Sequence, residues 1–250
     1  MIKFTVLTLF PNMFSEFAKS SIICKAIDKK LIEINVVDLR EFGKGKRKNV
    51  DDTVYGGGIG MVITVPVLDE ALNSIVGNEP GEFKIIYLSP KGKVLTQKKA
   101  INMAMNNNIQ YILICGHYEG VDNRIFSLYD IEEISIGDYV LTGGEIPAMT
   151  IIDTVTRLVD GVLKKDATIN ESHYLSKLLE EPQYTKPEDY KGKKVPSVLL
   201  SGNHQEIEKY RYENSIYETY KKRPDLLELY TKENNNAQEY VNKIIEEGGK

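Results

Sequence analysis

Short apolar, β-rich runs alternate with helical patterns along the first 160 or so residues, and this alternation limits the possible folds most strongly. Helical spacing of apolar residues marks 12–28 and the segment from Thr96, a candidate N-cap, to Met105. Strands that alternate with helices predict βαβ units and a mainly parallel sheet, so the sequence predicts an α/β fold. The predicted strands are 3–9, 32–39, 85–90, 111–115 and 131–136.

Three successive predicted strands end in segments rich in glycine or proline. These segments are Ser89-Pro90, the loop that starts at Gly116, and Ser135–Pro147, which contains three glycines. Each alone could be a plain turn. Because the ends of parallel strands share one edge of a sheet, where open α/β folds bind ligands, together they predict a small-molecule site. Glycine allows another group to approach the backbone closely.

The helix predicted after Pro147 carries an apolar stripe from Ala148 to Val162, and Gly161 marks its expected end. Asp153 and Arg157 lie four residues apart on its polar side. They form either a surface ion pair or a pair in which the carboxylate orients an arginine toward an anion.

Composition excludes several classes of protein. A net charge of −4 over 250 residues means that any nucleic-acid site must be a local patch. Two distant cysteines fit a reducing compartment, and neither a signal peptide nor an apolar run of about 20 residues is present. We therefore expect a cytoplasmic protein without a membrane segment.

Two regions carry clustered positive charge. Lys44–Lys48 has four cations among five residues, and the helix that follows His204 interleaves lysines and arginines with tyrosines. Both patterns are typical either of solvated surface or of phosphate contact, and for the tyrosines we favour partial burial. The aperiodic segment 164–174 is predicted as a flexible linker between a first domain, 1–163, and a helical second domain, 175–250.

Other motifs exclude some chemistry. The glycine-rich segment Tyr55–Met61 is neither a Walker loop nor a dinucleotide fingerprint, although a flat ligand could lie over it. The preceding Asp51 and Asp52 are candidate metal ligands, but loop-capping aspartates are more common. No histidine shows metal-ligand spacing and no cysteine or serine lies in a nucleophile motif, so covalent catalysis has no support.

Six segments, taken together, resemble one family. In order along the chain from about residue 4 to about residue 231, they resemble the bacterial tRNA (guanine-N1)-methyltransferases that act at tRNA position 37. That family belongs to the knotted α/β methyltransferases, often called SPOUT. The segments are Leu9–Phe14, Val50–Met61, Tyr87–Gly92, Cys115–Gly120, Ser135–Glu145 and Val195–His204.

The resemblance implies a trefoil-knotted, mainly parallel sheet domain, a smaller helical tRNA-binding C-terminal domain, and an antiparallel homodimer whose active sites use both chains. It implies S-adenosylmethionine as the methyl donor. It also implies that magnesium assists the reaction, although no residue of the sequence places the ion. By position, the expected donor-binding residues are Pro90, Gly116, Ile136, Gly137, Asp138, Tyr139, Val140, Leu141, Gly143 and Gly144.

The resemblance also assigns catalytic roles. Arg157 matches the family's active-site arginine and is expected to stabilise charge on guanine O6. A general base should remove the N1 proton, and the family usually has an aspartate in the linker. Ser172 occupies that position here, so we expect its neighbour Glu171 to act, with Asp166 as the alternative. Ile59 replaces the proline of the glycine-rich loop. Two other functions remain open: methylation of another RNA position, and binding of RNA and cofactor without chemistry.

Overall fold

A five-stranded sheet, parallel throughout, forms the centre of the first of two units, Met1–Lys165 and Asp166–Lys250. The computed structural model describes residues 1–58, 60–77, 81–106, 109–163, 176–234 and 237–247. The strand order is β2-β1-β6-β5-β7. These strands are β1 (Ile2–Thr8), β2 (Ile32–Asp38), β5 (Glu82–Val94), β6 (Ile109–Cys115) and β7 (Ile131–Ser135). The remaining strands of the unit, β3 (Asp51–Thr53) and β4 (Met61–Ile63), form a separate antiparallel hairpin.

Helices connect these strands, as the alternating pattern predicts. They are α1 (Asn12–Ala18), α2 (Ser21–Asp28), a 3₁₀ turn (Leu39–Phe42), α3 (Val65–Val76), α4 (Gln97–Met105), α5 (Ile125–Leu128) and α6 (Glu145–Thr156). The hydroxyl of Thr96 accepts a hydrogen bond from the amide of Lys99, which confirms Thr96 as the N-cap of α4.

Both faces of the sheet are buried, because successive side chains of a strand point to opposite faces. In β6, Tyr111 and Leu113 pack in one core, whereas Ile112 and Ile114 pack in the other. α1, α2, α4 and α6 cover the first face, and α3 and α5 cover the second. Each fully buried side chain of this size contributes roughly 1.5–3 kcal/mol, so these apolar strands largely stabilise the unit.

The structure differs from the sequence-based expectation at the first helix. Residues 12–28 form two helices rather than one, since the backbone of Ser20 is extended (φ −90°, ψ 131°). The Ser20 hydroxyl donates to the carbonyl of Glu16 at 2.6 Å and so competes with the helical amide ladder. Similarly, α6 ends at Thr156 and not at Gly161, so Arg157 is its C-cap residue.

The second unit is mainly helical. Its elements are the hairpin β8 (Asp189–Tyr190) and β9 (Lys193–Lys194), a 3₁₀ turn (Ser197–Leu200), α7 (His204–Lys222), α8 (Pro224–Glu233) and α9 (Gln238–Glu247). A small core that includes Ile216, Leu227 and Val241 joins the three helices. Within the described part of the chain, no helix is both long enough and apolar enough to cross a bilayer.

Candidate functional site

One wall of the site is an excursion of strand β5. Leu88 and Lys93 both pair with Ile134 of β7, so the four residues Ser89–Gly92 leave the ladder and then rejoin it. A Cβ atom on Gly92 would lie 2.4 Å from the carbonyl carbon of Glu133, which only glycine avoids. The sequence predicted that this strand ends at Pro90; that prediction is wrong, because Gly92 lets the chain return to β7.

A second wall forms where β6 ends. The amide of Gly144 donates to the carbonyl of Gly116 at 2.9 Å, which holds the loop after β7 against the end of β6. A Cβ on Gly144 would lie 2.6 Å from Cα of Cys115, and a Cβ on Gly116 would lie 2.6 Å from Oη of Tyr87. Glycine at these positions therefore allows β5 and the ends of β6 and β7 to meet.

The loop after β7 forms the third wall. The Ser135 hydroxyl accepts a hydrogen bond from the amide of Gly137 at 3.1 Å, and the Tyr139 hydroxyl donates to the carbonyl of Ile136 at 3.3 Å. These short-range bonds stabilise the turn while Tyr139 and Val140 remain 55% and 85% exposed. The loop thus presents both backbone and apolar side chains.

Together the three walls enclose a cavity of about 350 Å³, in the size range of small-molecule sites. Nine of the ten residues expected to bind the donor line it, and Asp138 is the exception. The nine are Pro90, Gly116, Ile136, Gly137, Tyr139, Val140, Leu141, Gly143 and Gly144.

Sequence reasoning did not select several other residues that line the cavity, among them Tyr87, His117, Glu119, Phe126 and Glu133. Burial, with a smaller effect from the nearby Glu133 carboxylate, raises the pKa of Tyr87 to about 12. Tyr87 and Glu119 lie within the segments that resemble the family, so the sequence could have identified them as candidate cavity residues. Phe126 and Glu133 lie outside those motifs, and only the fold brings them to the cavity.

His117 is one of the residues that line the cavity. Its Nδ1 atom is buried and has no hydrogen-bond partner among the described residues. Its ring packs against Phe10 at 5.0 Å between centroids, and a Cβ on Gly143 would lie 2.7 Å from Nδ1. An unpaired polar atom at this position is available to a bound ligand.

The buried carboxylate of Glu145, the first residue of α6, directly follows the loop after β7. Glu145, 3% exposed, accepts a hydrogen bond from the hydroxyl of Thr8 at 2.7 Å across 137 residues of sequence. Burial, reinforced by the Glu145 charge, raises the pKa of the Cys115 thiol well above its usual value. Cys115 is therefore a protonated core residue and not a nucleophile.

The expected catalytic residues fall in different parts of the chain. Arg157 is half-buried at the C-terminus of α6, where its amide donates to the carbonyl of Asp153 at 3.1 Å. Glu171, Ser172 and Asp166 lie outside the described residues, as does the expected linker 164–174.

The glycine-rich segment around Tyr55–Met61 connects β3 and β4. Gly56, Gly57 and Gly60 adopt positive φ, and a Cβ on Gly60 would lie 2.5 Å from the side chain of Glu119. The amide of Glu119 donates to the carbonyl of Met61 at 3.0 Å, so the hairpin packs beside the cavity loop.

Asp51 and Asp52, the candidate metal ligands, lie in β3, where Asp52 accepts from the Thr53 amide at 2.8 Å. Over the described ranges, no group of three or more histidine, cysteine or acidic residues is placed to hold a metal ion. The basic run Lys44–Lys48 forms a turn closed by reciprocal amide bonds between Lys44 and Asn49, and Lys44 pairs with Glu70.

A pocket bounded by main chain, aromatic rings and few charged groups suits a flat, largely uncharged ligand such as a nucleoside. Comparison with known proteins agrees with this chemistry. The family model described as tRNA (Guanine-1)-methyltransferase TrmD matches residues 2–229.

Curated relatives match over nearly their whole length. The chain is 51% identical over 226 residues to the tRNA (guanine-N(1)-)-methyltransferase of Metamycoplasma arthritidis, covering 90% of this chain and 96% of that protein. It is 49% identical over 225 residues to the enzyme of Ruminiclostridium cellulolyticum, with the same two coverages, 90% and 96%. It is 46% identical over 234 residues to that of Clostridioides difficile, covering 93% and 99%. The cavity, the motifs and these matches together show that the chain belongs to the tRNA (Guanine-1)-methyltransferase TrmD family.

Proposed function

We propose that this protein transfers a methyl group from S-adenosylmethionine to N1 of the guanosine at tRNA position 37. The observation that carries the proposal is the cavity between the β5 excursion and the ends of β6 and β7, which collects nine of the ten residues expected from the family resemblance. The family match over residues 2–229 supports a tRNA guanine as the methyl acceptor.

The shape of the cavity fits the proposed donor. Gly116 and Gly144 let the walls of the cavity pack closely, because a Cβ on Gly116 would overlap the Tyr87 hydroxyl and a Cβ on Gly144 would overlap Cys115. The backbone of Ile136–Leu141 and the rings of Tyr87 and Tyr139 would contact it. S-adenosylmethionine, when bound, supplies a methyl group on a sulfonium, and such a group needs no covalent enzyme intermediate. The buried, protonated Cys115 is consistent with that requirement.

The proposal includes a trefoil knot and a homodimer. The knot is proposed from the family match, and the loop after β7, which lies against the end of β6 through the Gly144–Gly116 bond, is the segment that it would involve. Exposed apolar side chains at the strand ends and on α1 support a partner chain at this edge: Phe10 (38%), Met13 (43%) and Val140 (85%).

We assign two chemical roles. Neutral guanine carries a proton on N1, so a base must accept it as the new N–C bond forms, and negative charge moves to O6. We assign Arg157 to stabilise O6 and Glu171 to accept the proton, with Asp166 and Ser172 as alternatives. The described residues provide no cluster of three metal ligands, and we assign no step to magnesium.

The decisive experiment is methylation of a transcribed tRNA by the purified protein, with mass-spectrometric identification of the modified nucleoside. We expect 1-methylguanosine at position 37. Detection of a ribose-methylated product would replace the proposal with another RNA target, and donor binding without any transfer would indicate a binding module.

Arg157→Ala separates the assigned role from folding. Turnover should fall by about two or more orders of magnitude, because one charge-stabilising donor is typically worth that much, while donor binding measured by calorimetry stays within twofold. Arg157→Lys keeps the charge and should retain more activity than Arg157→Ala. Near-normal turnover of Arg157→Ala would remove Arg157 from the mechanism.

Glu171→Gln tests the proton acceptor in parallel. It should lower turnover strongly and flatten the acidic limb of the pH–rate profile, whereas Ser172→Ala should not. If Glu171→Gln is fully active and Asp166→Asn is not, the role passes to Asp166.

A further inference from the structure

The cations of the long helix α7 and its C-cap are largely matched by carboxylates. Lys222 pairs with Glu218 on the same helix. Three further pairs are Lys209–Glu213 at 3.9 Å, Arg211–Glu181 at 3.3 Å and Arg223–Asp225 at 2.6 Å. This pairing reduces the net positive charge that α7 offers to a polyanion, so another surface of the second unit must be considered.

The hairpin β8–β9 is such a surface. Lys191, Lys193 and Lys194 on the hairpin, and Lys186 just before it, are exposed. No carboxylate in the described part of the chain lies within ion-pair distance of any of the four. The turn is fixed, because Lys191 (φ 53°) and Gly192 (φ 80°) take left-handed conformations and Asp189 accepts the Gly192 amide at 2.8 Å. The lysines therefore project from a defined scaffold.

A cleft of about 370 Å³ borders the base of this hairpin. Lys186, Glu188 and Val195 line it, and the Val195 amide donates to the Glu188 carbonyl at 2.8 Å. The other lining residues are Glu181–Thr185, Leu199, Leu200, Ile207 and Arg211. The cleft is thus continuous with the basic hairpin and lies wholly within the second unit.

The cleft combines an aromatic face with polar groups. Tyr184 is 47% exposed, whereas the neighbouring Tyr210 is only 6% exposed. The Gln183 amide donates to the Glu181 carboxylate at 3.1 Å, and the same carboxylate pairs with Arg211. An aromatic face beside amide, carboxylate and guanidinium groups is suited to a nucleobase, which needs both stacking and edge hydrogen bonds.

We propose that this cleft binds an unstacked nucleobase of the tRNA, distinct from the methylated guanosine, while the hairpin lysines bind the flanking phosphates. The proposal rests on the proposed function only in taking tRNA as the substrate. RNA is favoured over an acidic peptide as the ligand. An acidic peptide would require only the positive charge of the hairpin lysines, whereas the aromatic cleft beside that charge matches a base attached to a phosphate backbone.

Salt-dependent tRNA binding tests the hairpin. The variant Lys191→Ala/Lys193→Ala/Lys194→Ala removes three charges. The log of the association constant for tRNA falls as the log of the salt concentration rises. We expect the magnitude of this slope to be smaller in the variant by about two to three, because each phosphate contact contributes about 0.7–0.9. The matched control, Lys222→Ala/Lys232→Ala/Lys243→Ala, removes three ion-paired lysines from helices of the same unit and should change the slope by less than half as much. Equal slopes for the wild type and the hairpin variant, or for the two variants, would overturn the proposal.

Substitutions at Tyr184 test the cleft. Tyr184→Ala should weaken binding of the same tRNA about fivefold or more, because stacking of one base on an aromatic ring is typically worth at least that. Tyr184→Phe retains the ring face and should bind within about twofold of the wild type. Thermal unfolding of both variants shows whether the second unit is intact. If Tyr184→Ala folds normally and binds tRNA normally, no base lies on this ring.

Steady-state kinetics separates this proposal from the proposed function. We expect the hairpin variant to raise the KM for tRNA roughly tenfold and leave kcat within twofold, since the donor cavity is in the other unit. A wild-type protein that fails to methylate tRNA contradicts the proposed function. An active wild type whose hairpin variant has an unchanged KM contradicts only this inference.

Discussion

At the scale of single residues, the candidate site depends on a few glycines, where the absence of a side chain lets two segments pack closely. Gly92 and Gly144 both lie so close to neighbouring backbone that a methyl group would overlap it. Backbone, unlike the end of a flexible side chain, cannot move aside cheaply. The glycines were visible in the sequence, but the atoms that exclude a side chain were not, because they belong to strands far along the chain.

Gly144→Ala should therefore abolish donor binding or lower it at least tenfold, and destabilise the fold by about 1–3 kcal/mol through overpacking. Calorimetric titration with S-adenosylmethionine and chemical unfolding measure the two effects. Gly58→Ala is the control, because its Cβ would meet only a methyl group of the Val54 side chain and Gly58 does not line the cavity. Equal donor affinity of Gly144→Ala and the wild type would contradict the assigned close approach.

The bond between Thr8 and Glu145 is also a single-residue feature with a large structural role. Both residues are buried, and the Thr8 hydroxyl additionally accepts the Phe10 amide at 2.9 Å. Removal of the hydroxyl leaves a buried carboxylate and a backbone amide without this partner.

We expect Thr8→Val, which keeps the shape, to lower the free energy of unfolding by about 2–3 kcal/mol. Ser15→Ala should change it by less than about 0.5 kcal/mol, because the Ser15 hydroxyl makes only an exposed local bond to Asn12. Urea unfolding of both variants measures the difference, and a loss for Thr8→Val as small as that for Ser15→Ala would contradict the role of the buried bond.

At the scale of elements, a boundary that depends on local chemistry could be predicted, whereas one that depends on a distant partner could not. Thr96 caps α4 as its sequence predicts, whereas β5 continues four residues beyond Pro90 to Val94. A cap depends on residues three positions apart, which a sequence displays directly. Continuation of β5 depends on pairing with β7, a partner about 40 residues later in the chain, and no local pattern signals it.

Thr96→Ala should cost about 1 kcal/mol of stability through loss of the cap of α4. Lys98→Ala is the matched comparison, because Lys98 is exposed in the first turn of the same helix and does not cap it. We expect the second substitution to have an effect below about 0.5 kcal/mol in urea unfolding. Equal losses at the two sites would contradict the capping role of Thr96.

At the scale of the whole molecule, two units each have a core of their own, and both contain tyrosines that resist ionisation. Burial is the first cause in every case, and it raises the pKa values of Tyr87 and Tyr111 in the first unit, and of Tyr210 and Tyr240 in the second, to about 12. A phenol in the unfolded chain has a pKa near 10. Between these values the folded protein binds more protons than the unfolded chain.

The free energy of unfolding should consequently decrease as pH rises from about 10 to about 12. Denaturant unfolding at several pH values measures this slope, and Tyr87→Phe should make it shallower in the transition of the first unit. Tyr55→Phe, at a position that is 100% exposed, should leave it unchanged. A stability that is constant or rising over this range would contradict the burial of these phenols.

The sequence by itself determined the alternation of strands and helices and the N-cap of α4, and the family that it resembles identified nine residues that line one cavity. It could do so because periodicity, capping and motif order are local or collinear properties of a chain. Only the tertiary structure decided that β5 continues past Pro90, that 12–28 breaks at Ser20, that Phe126 and Glu133 line the cavity, and that Thr8 bonds to the buried Glu145. These features depend on contacts between segments far apart in sequence, and the free energy that fixes such contacts comes from packing, which no single segment contains.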